Sequence, residues 1–449
     1  MSPIRTAHAR TSRGPAALAA PSRRSFLVAV AAGLGSSAVL SGCVGSGGTE
    51  SAPAGGGGAS GGGGLVLQNS IQDEGPKAAL TTLVEEYTAE PVTMNSVATE
   101  QFRAQLSTYL TSPNPPDVIS WYAGSVANTY ADQGLLLDVS DLWTGDGACA
   151  SFPPALKALS TSGDDAQIFV PTNYYWWSIF YKKSAFEKWG VTPPETWDEF
   201  IALCEDLQGQ GVIPLTNGIG TTPWMASGWF DYLDLRVNGA QYHRELLAGE
   251  HAFTDPEVVA VMDRYAEILP FFHPDQASWD NQQAAVPFVQ DEAAMYLIGA
   301  FLTNYVPEDQ LDDLDFFSVP VIDPSIPSAE EAPTDGFFAS AGTADPEGTK
   351  AFLSYLASAE SQAQWIAESG SANLPTNPDV DTSGFSPLVQ KGIALLAGTE
   401  EITQFFNRDS SDALQTTADT ALTQFIANPG DVQQILEQWQ QAAEAVWSS

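Results

Sequence analysis

Between residues 65 and 122 the hydrophobic positions switch back and forth between two periods. LVLQNSI (65–71) reads as a strand. In KAALTTLVEEY (77–87) apolar side chains recur at 79, 80, 83, 84 and 87, the spacing that lines one face of a helix. VTMNSV (92–97) reads as a second strand, EQFRAQLSTYL (100–110) as a second helix, and DVISWY (117–122), after a Pro-rich turn, as a third strand. Strands alternating with helices predict a parallel sheet covered on its faces. In such sheets ligands sit beyond the carboxyl ends of the strands. Asn69, Gln72, Asp73, Asn95 and Trp121 all fall near those ends.

The later pattern continues in the same style. VTPPETWDEF (191–200) opens a helix, with Thr196 as N-cap and Glu199 three residues on, the spacing of a capping box. GVIPLTNG (211–218) reads as a strand and turn, PEVVAVMDRYAEIL (256–269) as a helix, and AAMYLIGAF (293–301) as a buried strand. Asp345 followed by Pro346 marks another helix start. The last helix places Val432, Ile435, Leu436, Trp439, Ala442, Ala443 and Val446 on one face. NYYWWSIFY (173–181) reads as one extended strand, with Tyr175, Trp177, Ile179 and Tyr181 on one side and Tyr174, Trp176, Ser178 and Phe180 on the other. Residues 65–449 exceed what one core spans, so two domains are expected of a large α/β protein.

The N-terminal segment has a different character. Residues 1–24 hold five Arg and no acid, and FLVAVAAGLGSSAVL (26–40) is shorter than the roughly 20 apolar residues of a spanning helix. SRRSFL (22–27) resembles a twin-arginine export signal, and LSGC, ending at Cys43, resembles a bacterial lipobox. The resemblance implies a signal peptide over 1–42, cleavage before Cys43, and a lipid on Cys43. The protein would then be exported and held on the outer face of the cytoplasmic membrane. Residues 43–64 would form a Gly-rich tether with a mean reach of about 25 Å.

Charge excludes one partner class. Removing the five N-terminal Arg from 17 Lys and Arg leaves 12, against 55 Asp and Glu. Such a chain repels nucleic acid, and solubility is the simplest role for the excess acid. Cys149 and Cys204 could pair in an exported protein, and spacing leaves that open.

Catalytic signatures are missing. The four His show no metal-ligand spacing, and within residues 65–449 HExxH, GxSxG, Walker A and GxGxxG patterns do not occur. No cofactor or metal is expected. Aromatics are the other resource: Trp121, Tyr174–Trp177, Trp224, Trp229 and Trp279 stand beside polar residues, whereas Trp189 and Trp197 read as core. A Trp face covering about 100 Å² of a sugar's C–H face contributes roughly 2.5 kcal/mol at ~25 cal/mol per Å². Asp, Asn, Gln and Arg at the rim would satisfy its hydroxyls.

Six segments carry a resemblance that covers residues 65–449. They are PPDVISWYAG, VPTNYYWWSIFYKKSAFEKWGVTPPETWDEF, GVIPLTNG, PWMASGWFDYL, AAMYLIGAF and ITQFFNRD. The chain resembles the family 1 extracellular solute-binding proteins of ABC sugar importers, relatives of the maltose-binding protein. The resemblance implies a periplasmic-binding-protein-like fold of type II, two α/β lobes joined by a hinge with a ligand cleft between them. Lobe I would comprise 65–172 plus 336–375, and lobe II 173–335 plus 376–449, with crossings near 171–175 and 334–338.

It also implies roles. Trp121 matches a sugar-stacking Trp, and Tyr175 falls where the maltose binder has a cleft carboxylate. Pro223-Trp224 matches a Pro-aromatic pair, and Phe301 falls where many relatives have Trp. Phe406, Asn407 and Arg408 match a late aromatic-plus-Arg segment. Trp176, Asp231 and Asp335 join the candidates, with Gln72, Asp73 and Asn95 at the strand ends. Gly124-Ser125 stands where the maltose binder has an acid and a base, which argues against maltose. The implied function is capture of a mono- or oligosaccharide by hinge closure and delivery to a membrane permease, by a monomer. A lipid-anchored glycosidase and a polysaccharide-binding adhesin are the alternatives. On this reading Trp121→Ala weakens sugar binding by about tenfold or more, some 1.4 kcal/mol, and leaves the melting temperature of the apo protein nearly unchanged.

Overall fold

A computed structural model of the chain describes residues 63–448. The export segment, Cys43 and nearly all of the tether lie outside the described residues. Twelve strands occur among the described residues: β1 (Leu65–Asn69), β2 (Val92–Ser96), β3 (Val118–Tyr122), β4 (Val170–Tyr174), β5 (Trp177–Lys182), β6 (Ile213–Thr216), β7 (Ala293–Gly299), β8 (Leu314–Phe317), β9 (Ala329–Glu331), β10 (Thr334–Ala339), β11 (Leu374–Pro375) and β12 (Glu401–Thr403). They build a six-stranded sheet in the order β11-β4-β10-β3-β1-β2, a four-stranded sheet in the order β6-β7-β5-β8, and a β9–β12 pair.

The alternation at the start of the chain does what its period predicts. Helices Glu74–Glu86 and Thr99–Leu110 separate β1, β2 and β3, which pair in parallel. The first helix buries Ala79, Leu80, Leu83 and Val84, as the spacing requires. The sheet is not parallel throughout. β10, which comes back from the second lobe, runs antiparallel to both β3 and β4, and β11, which follows the helices Pro346–Ala357 and Ala359–Ser369, runs antiparallel to β4. Each sheet thus organises its own α/β lobe. The capping box at Thr196 and Glu199 is formed in both directions, the Glu199 carboxylate accepting from Thr196 N at 3.1 Å. Cys149 and Cys204 are both free and buried. No helix among the described residues is long and apolar enough to cross a membrane.

NYYWWSIFY is divided in a way its alternation does not reveal. β4 ends at Tyr174 in the first sheet and β5 begins at Trp177 in the second, so Tyr175 and Trp176 form the passage between lobes. A second passage lies between β9 and β10, and a third follows β11. Trp176 was a cleft candidate, and the structure corrects this. Its ring is fully buried, 5.2 Å from the Phe316 ring, and lies flat over Gly392 in the helix Pro387–Gly398. A Cβ on Gly392 would come within 2.4 Å of that ring. Gly392→Ala therefore forces overpacking, and thermal melting should show a loss of about 1–3 kcal/mol. An unchanged melting temperature would contradict this packing.

Candidate functional site

A cavity of about 500 Å³ opens between the two lobes, within the size range of small-molecule sites. The first lobe contributes the turn after β1, including Gln72 and Asp73, the helix residue Arg103, and Trp121 and Tyr122 at the end of β3. Tyr175 in the first passage, and Asn173, Trp177 and Asp335 on the strands beside the passages, also line it. The second lobe contributes Trp224, Phe301, Asn304, Tyr305, Asn407 and Arg408. The cavity meets the carboxyl ends of β1 and β3, where the loops of an α/β sheet are free to carry ligand groups.

One wall is aromatic. Trp177 is the hub, with ring centroids 6.3 Å from Trp224, 6.1 Å from Phe301 and 5.0 Å from Phe405. Tyr175 meets Phe301 edge-on at 5.5 Å. β7 stops at Gly299, whose missing Cβ admits these two rings: an added carbon would lie 2.4 Å from Phe301 and 2.9 Å from Tyr175. Trp177 and Phe405 are buried behind, while Trp224, Phe301 and Tyr305 keep partly exposed surface toward the cavity. Such a wall can stack on the apolar face of a ring.

The opposite side is polar and already partnered. Arg408 Nη1 donates to Asp335 Oδ1 at 2.8 Å and Nη2 donates to the Tyr175 hydroxyl at 3.0 Å. Its guanidinium carbon sits 3.8 Å over the Tyr122 ring, a cation–π contact. Burial alone would lower the Arg408 pKa. The neighbouring Asp335, Tyr175 and Tyr122 outweigh that effect and raise it, so the cation is held firmly. Burial raises the Asp335 carboxyl above its usual range, and Arg408 opposes the shift. Asp73 is raised by burial too, with the Asn304 amide working against it.

Further contacts reach across the cleft. Asn304 Nδ2 donates to Asp73 Oδ2 at 3.1 Å, and Arg103 Nε lies 3.7 Å from Asp412 Oδ1. Asn407 shares the latter carboxylate, donating from Nδ2 to Asp412 Oδ1 at 3.0 Å. Asn373 Nδ2 donates to Asn173 Oδ1 at 2.9 Å, which leaves Asn373 Oδ1 buried and unpartnered beside the cavity. Trp121 Nε1, Trp177 Nε1 and Ser371 Oγ are also buried without partners along the lining. These atoms are suited to a polyhydroxylated ligand or its ordered water. Among the described residues no group of three or more His, Cys, Asp and Glu is arranged to hold a metal.

Several sequence candidates sit differently from their expected places. Trp121 lines the cavity but is only 2% exposed, sandwiched between Phe102 and Tyr122 at 5.0 and 4.2 Å. Both of its faces are covered, so Tyr122 presents the ring to Arg408 instead. Asn95 is exposed on β2, the outermost strand of its sheet, away from the cavity. Asp231 is fully buried and accepts from Phe406 N at 2.9 Å, behind the cleft. Gln72, Asp73, Tyr175, Trp224, Phe301, Asp335, Asn407 and Arg408 all line the cavity.

The sequence does not single out Tyr122, Phe405 and Tyr305 for the site, nor Arg103, Asn304 and Asn373. Asn173 and Trp177 share the Tyr175 side in the alternation of residues 173–181, which was a usable signal. Asn304 and Asn373 carry no local signal, because distant strands bring them in.

Comparison with known proteins agrees with this architecture. Residues 68–363, well over half of the chain, match the bacterial extracellular solute-binding protein family. An uncharacterised ABC transporter extracellular-binding protein of Pyrococcus horikoshii is 26% identical over 66% of this chain and 66% of its own length. The α-glucosides-binding periplasmic protein AglE of Rhizobium meliloti is 24% identical over 73% of this chain and 74% of its own. The chain thus spans about two thirds to three quarters of these two relatives. The crystal structure of the bacterial solute receptor AcbH, which has an exclusive preference for β-D-galactopyranose, superposes with a TM-score of 0.81. It is 29% identical, and the match covers 86% of this chain and 99% of that one. Two α/β lobes around a lined cleft, and a family match over most of the described chain, place this protein among the bacterial extracellular solute-binding proteins.

Proposed function

We propose that the protein is the carbohydrate receptor of an ABC importer, which encloses a neutral mono- or short oligosaccharide between its lobes and delivers it to a membrane permease. The observation that carries this reading is the cavity itself, with an aromatic wall on one side and a partnered Arg–Asp–Tyr group on the other. Trp224, Phe301 and Tyr305 would stack on the sugar ring. Gln72, Asp73, Asp335, Asn407 and Arg408 would meet its hydroxyls. Ligand contacts from both lobes would bias an open–closed equilibrium toward the closed form. The likeness to a galactopyranose receptor supports a monosaccharide first. In the same reading the export signal and the lipid on Cys43 hold a monomer at the outer face of the cytoplasmic membrane.

A thermal-shift panel of mono- and oligosaccharides tests this. At a sugar concentration 100-fold above Kd, linkage adds about 2.7 kcal/mol. At about 2 °C per kcal/mol for a chain of this length, the melting temperature rises by about 5 °C. D-galactose is the first expected hit. No shift with any sugar, or release of reducing ends in a hydrolysis blank, would overturn the proposal.

A further inference from the structure

Two cations line the cavity, Arg408 and Arg103, and their donors are used very differently. Arg408 is committed to the protein. Its Nη1 donates to Asp335 Oδ1 at 2.8 Å and to Thr334 O at 3.3 Å, and its Nη2 donates to the Tyr175 hydroxyl at 3.0 Å. Arg103 is not committed. Its Nε is buried without a hydrogen-bond partner. Asp412 Oδ1, at 3.7 Å, lies beyond hydrogen-bond reach and pairs with it through charge alone. That same oxygen already accepts from Asn407 Nδ2 at 3.0 Å. A guanidinium carries five N–H donors in one plane, and donors left unmet away from water are costly.

The fold nonetheless holds this side chain at the cleft. Arg103 stands on the helix Thr99–Leu110, whose buried stripe is Phe102, Leu106 and Leu110. Phe102 stacks on Trp121 at 5.0 Å and Trp121 on Tyr122 at 4.2 Å. This sandwich in the first lobe fixes the helical turn from which Arg103 reaches the cavity. Asp412 opens the helix Asp412–Ala427 on the other side of the cleft. Burial alone would lower the Arg103 pKa, but Tyr122, Asp412 and Glu100 outweigh it and keep the group a cation.

We propose that Arg103 is a further ligand-binding residue, whose planar fork takes two adjacent hydroxyls of a neutral sugar and selects for sugars that carry the pair. The inference rests on the carbohydrate-receptor reading and deepens it by naming what the first lobe reads. Two N–H donors of the fork point the same way, side by side, so they can meet the oxygens of two neighbouring hydroxyls. A lysine in the same place would offer a point charge without that spacing. An acidic sugar fits less well. Asp73, Glu100 and Asp335 also line the cavity, so three acids face the two cations even before Asp412 is counted.

The test is calorimetric titration of D-galactose and its 1-, 2-, 3- and 4-deoxy analogues into the wild type, Arg103→Ala and Arg103→Lys. Arg103→Ala should bind D-galactose more weakly by about tenfold or more. It should melt within about 2 °C of the wild type, since a part-exposed ion pair at 3.7 Å adds little stability. Arg103→Lys should bind nearly as weakly as the Ala variant. Two analogues that lack neighbouring hydroxyls should already bind the wild type weakly, and should lose no more than about threefold further on Arg103→Ala. Unchanged affinity in Arg103→Ala, or losses that multiply for every analogue, overturns the assignment and leaves the carbohydrate reading standing. A wild type that binds no sugar overturns both. Phenylglyoxal labelling read by mass spectrometry needs no variant. Bound D-galactose should slow modification of Arg103 by about tenfold or more, and a rate indifferent to the sugar overturns the assignment as well.

Discussion

Arg408→Ala is expected to weaken D-galactose binding by about a hundredfold or more, measured by titration calorimetry. Breaking a buried ion pair by removing one partner costs about 3–5 kcal/mol, because the other charge is left buried and alone. Here the orphan would be Asp335, whose side chain is 31% exposed and so partly solvated. That brings the cost below this range, to about the 2.8 kcal/mol of a hundredfold loss. The Tyr175 hydroxyl would lose its donor as well. The Tyr122 ring would lose the cation above it. Arg408→Lys should be intermediate, since an ammonium can neutralise Asp335 but lacks the planar fork that reaches both partners while stacking on Tyr122. Adding Asp335→Asn to Arg408→Ala should recover part of the lost melting temperature, because the uncompensated carboxylate is gone. Affinity within threefold of wild type in Arg408→Ala, a change under about 0.7 kcal/mol, would remove Arg408 from the binding machinery.

Trp121→Ala is expected to destabilise the apo protein by about 3–5 kcal/mol, the range for truncating a buried Trp. At about 2 °C per kcal/mol the melting temperature should drop by roughly 6–10 °C. The sequence alone suggests the opposite, a stacking residue whose loss spares stability. The difference lies in burial: with Phe102 on one face and Tyr122 on the other, Trp121 has no free face for a sugar. A melting temperature within 2 °C of wild type would contradict the sandwich and return Trp121 to the ligand.

Much of the fold is readable in local pattern, because local pattern is what secondary structure responds to. The 3.6 period of residues 77–87, the capping box at Thr196 and the apolar run at 293–299 each specify an element through contacts within a few residues. The resemblance to a known family supplies more of the site, since it points to Arg408, Asp335, Tyr175 and Trp224, which all line the cavity.

The failures share a cause. Trp176 and Trp177 are adjacent and chemically alike, yet one lies over Gly392 in the core and the other anchors the cleft wall. The break between β4 and β5 decides which does which, and that break exists because the two strands belong to different sheets. Asp231 has the chemistry of a cleft ligand, but its helix turns it inward to accept from the Phe406 amide. By itself the sequence determined the elements, the family and the chemical inventory of the cleft. Tertiary structure decided which side chains face the ligand, because a side chain's direction depends on strands and helices hundreds of residues away. Only in the folded chain do those elements pack on one of its faces and leave the other open.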